Sequence, residues 1–151
     1  MSDLLKDPLI LRQIIMDHYE YPRNHHLTDD VHYHKAHMSS ESCIDDITVM
    51  AKIENNIVTD VCFDGVACTI STASTSIMTE LLIGKTVEEA EAIVKEYYKM
   101  IELLPYDEEL LQEAIAFHQV GKQANRIKCA TIGFKAIETC IKEHKHEQQT
   151  K

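Results

Sequence analysis

Cys43, Cys68 and Cys129 each stand in a local sequence unlike ordinary core. These are Cys43-Ile44-Asp45-Asp46, Gly65-Val66-Ala67-Cys68-Thr69-Ile70-Ser71 and Arg126-Ile127-Lys128-Cys129-Ala130-Thr131. Three thiolates with the Asp45 carboxylate make a four-ligand set for a soft or borderline metal such as zinc or iron. Lys122, Arg126, Lys128 and Lys135 crowd the sequence around Cys129, where positive charge favours thiolate over thiol. The same four residues also fit a solvated basic patch. The cysteine separations, 25 residues and then 61, are not the paired Cys-x-x-Cys of a zinc finger. Spacing alone therefore leaves a second reading open, in which the cysteines are small buried hydrophobes.

Those residues need elements to hold them. Asp7-Pro8 is a helix start, a capping carboxylate followed by proline at the first helical position. Leu9, Ile10, Ile14 and Ile15 follow at helical spacing, and Pro22 ends the run. The histidine-rich stretch 24–42 (His25, His26, His32, His34, His37) reads as polar loop with a short strand near 31–38. Ile47, Val49, Ala51 and Ile53 alternate with polar neighbours, the period of a half-buried strand, and Ile57, Thr59, Val61 and Phe63 repeat it. A three-residue loop, Glu54-Asn55-Asn56, pairs Ile53 with Ile57 and Ile47 with Phe63 so that the apolar rows agree. That register puts Cys62 on a polar surface face with Asp60 and Asp64. It gives Cys43 and Asp45 the parity of Ile47.

Beyond the hairpin the pattern is helical. Residues 68–83 form a helix rich in small residues that stops at Gly84, and Thr86-Val87-Glu88-Glu89 is a capping box. Val87, Ala90, Val94, Tyr97, Ile101 and Leu104 form one stripe before Pro105. An acidic helix runs from Asp107 to about His118, and Gly121 breaks it. The last helix starts near Cys129, buries Cys140 beside Ile137 and Ile141, and runs into a polar tail over 145–151. Cys68 and Cys129 thus fall at helix N-termini, where free N–H groups and the helix dipole lower a thiol pKa. The chain reads as one α+β domain over 1–151, a small antiparallel sheet of about three strands packed against helices.

Composition bounds the function. A 151-residue chain with 44% hydrophobic and 26% charged residues is typical of a globular domain. A net charge of −10 argues against a nucleic-acid partner, whose phosphates repel it. No apolar run is long enough to cross a bilayer, and the N-terminus has acids where a signal peptide needs a basic start. The expectation is a cytoplasmic protein, with no membrane partner, whose thiols stay reduced.

The motifs themselves carry a resemblance. Asp17-His18-Tyr19-Glu20-Tyr21-Pro22-Arg23-Asn24-His25 is similar to the signature D-H-Y-x-x-P-R-N-H, and the segment from Phe63 to Ser74 to F-x-G-x-G-C-x-I-S-x-A-S. Gly84-Lys85 matches a turn after the second-cysteine helix, and Arg126–Thr131 resembles R-x-K-C-A-T. In this order the chain resembles the IscU/SufU (NifU N-terminal) family of iron–sulfur assembly proteins over nearly its whole length. Lys128, where IscU-type members carry histidine, and the long interval between Cys68 and Cys129 resemble the SufU branch.

The resemblance implies a SufE/NifU/IscU-like fold and zinc bound by Cys43, Asp45, Cys68 and Cys129. It implies sulfur accepted from a SufS-like cysteine desulfurase and passed toward downstream iron–sulfur assembly proteins. The chain is then a persulfide relay rather than a stand-alone enzyme. Cys129 would be the acceptor, supported by Arg126 and Lys128, with Asp45 as the exchangeable oxygen ligand. An IscU-like scaffold would instead hold iron, as a [2Fe–2S] cluster, on the same four residues. Ile44 and Ala67 stand where the family commonly has glycine, and a β-branched residue does not readily take positive φ.

Two further classes are weighed against these. One is a non-catalytic domain with a purely structural zinc site. The other is a Cys–His hydrolase using Cys129, for which the sequence supplies neither an oxyanion site nor a positioning acid.

Overall fold

The computed structural model describes residues 7–39 and 44–150, so Cys43 and the start of the Cys43-Ile44-Asp45 motif lie outside the described residues. Asp7 caps α1 (Pro8–Glu20), its side chain accepting from the Leu9 N–H at 2.9 Å. The strands β1 (His34–Ser39), β2 (Asp46–Glu54) and β3 (Ile57–Val66) form one antiparallel sheet in chain order. They are followed by α2 (Thr69–Leu82), α3 (Val87–Ile101) and a single turn, α4 (Glu108–Leu111). Two 3-10 turns, Gln112–Phe117 and Val120–Lys122, lead into α5 (Ala124–Thr150). The architecture is α+β, as the sequence implies.

The hairpin register corrects the expected one. Asn55 and Asn56 both take positive φ (52° and 64°) in a two-residue turn, and Glu54 pairs with Ile57 and Ile53 with Val58. Such a turn matches the twist of the strands. The parity conflict is absorbed by a bulge after Lys52, which pairs with Asp60, so Phe63 lies opposite Val49 and Ile47 opposite Gly65. Val58, not Ile57, then enters the core.

Cys62 is also corrected: it is fully buried. It pairs with Met50, and the same face carries Asp60, whose carboxylate accepts from the Tyr33 hydroxyl at 2.5 Å. The segment leading into β1 thus covers a face that alternation alone predicts as open.

α2 lies at the centre, burying Ala73, Ile77, Met78 and Leu82 and packing against α1 and α5. The signature residues before β1 are fasteners to it. The Arg23 N–H donates to Ser76 Oγ at 2.8 Å and Asn24 Nδ2 to Thr79 Oγ1 at 2.9 Å. The Asn24 carbonyl accepts from the Phe63 N–H at 3.0 Å, closing part of the β3 edge.

The capping box on α3 forms as expected, Thr86 and Glu89 exchanging side-chain-to-backbone bonds. Leu104 falls beyond the end of α3 and is half exposed, so it leaves the predicted stripe. The acidic helix is broken: Gln112 takes φ 48° and the chain continues as a 3-10 turn that buries Ala114, Ile115 and Phe117.

α5 is longer at both ends than predicted. It begins at Ala124 and carries residues 145–150, expected as a polar tail, as helix. Cys140 is core, as expected. Tyr97 ties α3 to α5: its ring stacks on Phe134 at 3.7 Å, and its hydroxyl donates to the Ala130 carbonyl at 2.6 Å.

Candidate metal and sulfur centre

Three elements deliver one cluster. Asp45 directly precedes β2 and shares the inward side with Ile47; it is 1% exposed. Cys68 is the N-cap of α2, its sulfur accepting from the Ser71 N–H at 3.4 Å. Cys129 comes from α5, beside α2, where Ser74 Oγ donates to the Cys129 carbonyl at 3.4 Å. One ligand atom from each of Asp45, Cys68 and Cys129 lies within 4.8 Å of the others. The reading of these two cysteines as mere hydrophobic filler does not account for a buried carboxylate between them.

The carboxylate is held at both oxygens. Its Oδ1 accepts from the Cys68 N–H at 2.9 Å, and its Oδ2 accepts from the Ser71 hydroxyl. Ser71 Oγ also lies 3.3 Å from the Cys68 sulfur. Ser71 is therefore a site residue that the sequence reading passed over. The available signal was its place three residues after a capping cysteine, where a hydroxyl faces the cap.

Cys129 departs from expectation in one respect. It sits in the second turn of α5 rather than at its start, and the dipole effect falls off within the first turn. Burial, the Cys68 contact and the Asp45 contact together push the Cys129 thiol well above its ordinary range. A cation at the cluster reverses that balance, because it favours the ionised sulfur. The donor set of two sulfurs and one carboxylate oxygen fits a borderline ion such as zinc.

Arg126 and Lys128 are exposed on α5. Arg126 borders a groove of about 520 Å³ with Leu11, Arg12, Ile15, Thr69 and Ile70, next to Cys68. The histidine-rich stretch resolves into separate roles. His34 and His37 belong to β1, His25 lies 3.1 Å from Asp64 and packs on Phe63, and His32 pairs with Asp30. It gathers no metal-ligand set among the described residues.

With this geometry in place, comparison with known proteins is decisive. Residues 10–151 match the NifU-like N terminal domain. The chain belongs to this family. It is 38% identical over 130 residues to the zinc-dependent sulfurtransferase SufU of Bacillus subtilis, covering 85% of this chain and 87% of that one. It is 34% identical over 137 residues to the iron–sulfur cluster assembly scaffold protein IscU of Streptococcus pyogenes, covering 89% and 84%. A crystal structure from Fervidobacterium islandicum, described as an iron–sulfur cluster assembly scaffold for the SUF system, superposes with a TM-score of 0.78 at 28% identity. It covers 93% of this chain and 99% of that one.

Against the family pattern, Ala67 causes no backbone conflict, for it does not take positive φ. The glycine that is required is Gly65, at φ 140°, where a Cβ would lie 2.0 Å from the Asp46 carbonyl oxygen. Among the described residues no helix is long and apolar enough to cross a membrane.

Proposed function

We propose that this NifU-like domain is a SufU-like, zinc-dependent sulfur-transfer partner of a cysteine desulfurase in iron–sulfur cluster assembly, acting in the cytoplasm. The observation that carries this reading is the convergence of the Asp45 carboxylate with the Cys68 and Cys129 sulfurs. The likeness to a zinc-dependent SufU supports it further, as does Lys128 in the position before Cys129.

Asp45, Cys68 and Cys129 would hold the zinc, with Cys43 as the fourth ligand by family resemblance. Bound there, zinc favours thiolate over thiol and brings no redox chemistry of its own. Asp45 is fixed by the Cys68 N–H and the Ser71 hydroxyl, so its carboxylate is oriented before any ligand arrives. Cys129 is the acceptor. Its thiolate attacks the outer sulfur of the desulfurase persulfide. A new S–S bond forms as the old one breaks, and the electron pair leaves with the desulfurase cysteine as its thiolate. Arg126 and Lys128, on the exposed side of α5, offset the negative charge of the incoming persulfide. The sulfur then passes to downstream assembly proteins.

Likeness to a scaffold IscU supports a second reading, cluster assembly on the same residues. Metal analysis of the purified chain separates the two. About one zinc per chain, lost in a Cys68→Ser/Cys129→Ser variant, is the expected result. Iron with visible absorption overturns it in favour of the scaffold. Zinc whose removal simply unfolds the protein, with no sulfur accepted in its presence, makes the site structural.

A further inference from the structure

A second group of ligating side chains lies further along α2 from the cysteines. His18 on α1, Glu80 on α2 and Glu113 on the Gln112–Phe117 turn bring one ligand atom each within 4.8 Å of the others. We propose that His18, Glu80 and Glu113 form a separate site for a divalent metal ion of the Mn2+ or Fe2+ class.

His18 is 1% exposed, so its ring is fixed by packing. Its Nε2 lies 3.3 Å from Glu113 Oε1 and 3.8 Å from Glu80 Oε1. A transition-metal ion with bonds of about 2.0–2.2 Å to nitrogen and oxygen sets its ligand atoms roughly 3.0–3.4 Å apart. The His18–Glu113 spacing already falls in that range, and the His18–Glu80 spacing lies slightly above it. Both glutamates are about half exposed, 49% and 50%, and so retain freedom to move. Their outer side is open to water, which completes the coordination of such ions.

The other ring nitrogen has the partner a metal-bound imidazole needs. His18 Nδ1 lies 2.7 Å from Ser76 Oγ, which already accepts from the Arg23 N–H at 2.8 Å. A hydroxyl has two acceptor lone pairs and one proton. With an ion on Nε2 the Nδ1–H therefore donates to Ser76, whereas a ring that donates Nε2–H to Glu113 accepts the Ser76 proton at Nδ1.

The charges facing the site are few. Arg23 Nε is 3.9 Å from Glu80, but its terminal nitrogen is held by Asp17 at 2.5 Å. That pair cancels, and the two glutamates remain to be neutralised. With no sulfur among the donors, the site favours harder ions than the cysteine cluster does. A bound ion would tie the Gln112–Phe117 turn to α1 and α2.

The test is titration of Mn2+ into the whole protein, followed by the EPR signal of the free ion. One saturable site per chain is expected. Glu80→Gln and Glu113→Gln, both at half-exposed positions and checked by circular dichroism, should each weaken it tenfold or more. Cys68→Ser/Cys129→Ser should leave it unchanged. Absence of saturable uptake by the wild type overturns the proposal, as does uptake that the glutamine variants retain. Loss of uptake in the cysteine variant also overturns it, by moving the ion to the other cluster.

Discussion

The Ser71 hydroxyl donates to the Asp45 carboxylate, joining the residue before β2 to the first turn of α2. The same hydroxyl lies against the Cys68 sulfur, so one side chain orients two of the proposed ligands. Partners of this kind commonly matter by 10–100-fold in metal affinity. Ser71→Ala is expected to leave the fold intact and to weaken zinc retention within about that range. Competition against a chelator measures it, and retention equal to wild type would remove Ser71 from the account.

Gly133 sets the approach of α5 to α2. A Cβ there would lie 2.4 Å from Thr75 Oγ1, within a fully buried contact. Gly133→Ala must push the helices apart, and overpacking of this sort costs about 1–3 kcal/mol. Cys129 is one helical turn away, so the same change should loosen the cluster. Denaturant unfolding with parallel zinc analysis tests both effects. Unaltered stability would mean that the contact relaxes freely.

Much of this was legible in the sequence. Asp7-Pro8, Thr86–Glu89 and Gly84 announce their helix ends through capping chemistry that is local, and local chemistry is readable. Cys68 is legible because a cysteine followed by small residues at a helix start is an unusual pattern, and Asp45 and Cys129 because of the motifs around them. The misses were tertiary. Residues 124–128 lack the apolar spacing of a core helix, so the sequence alone places the start of α5 too late and puts Cys129 at a helix terminus that lies a turn before it. The break at Gln112 (φ 48°) lies in a stretch that reads as continuous helix, and only packing of Ala114 and Ile115 decides it. The hairpin bulge conceals itself for a similar reason. Period-two alternation resumes on either side, and a single extra residue changes the face.

Cys62 gives a pH prediction. Burial, with the Asp60 charge beside it, pushes its thiol up to about 11. An unfolded-chain thiol ionises near about 8.5. In that interval the unfolded chain has released a proton that the folded chain keeps. The stability present below the unfolded value is therefore lost as pH rises toward the folded one. Cys62→Ala should flatten that alkaline decline, measured as denaturation midpoints between about pH 8 and about pH 11. An unchanged slope would assign the decline to other groups, such as Cys140, which burial raises to about 12.

The most direct test of sulfur acceptance is mass spectrometry of the zinc-loaded protein after incubation with a cysteine desulfurase and cysteine. The account predicts one added sulfur atom on the peptide carrying Cys129, abolished in a folded Cys129→Ser variant. Added sulfur on Cys68 instead, or none on any cysteine while zinc stays bound, would contradict it.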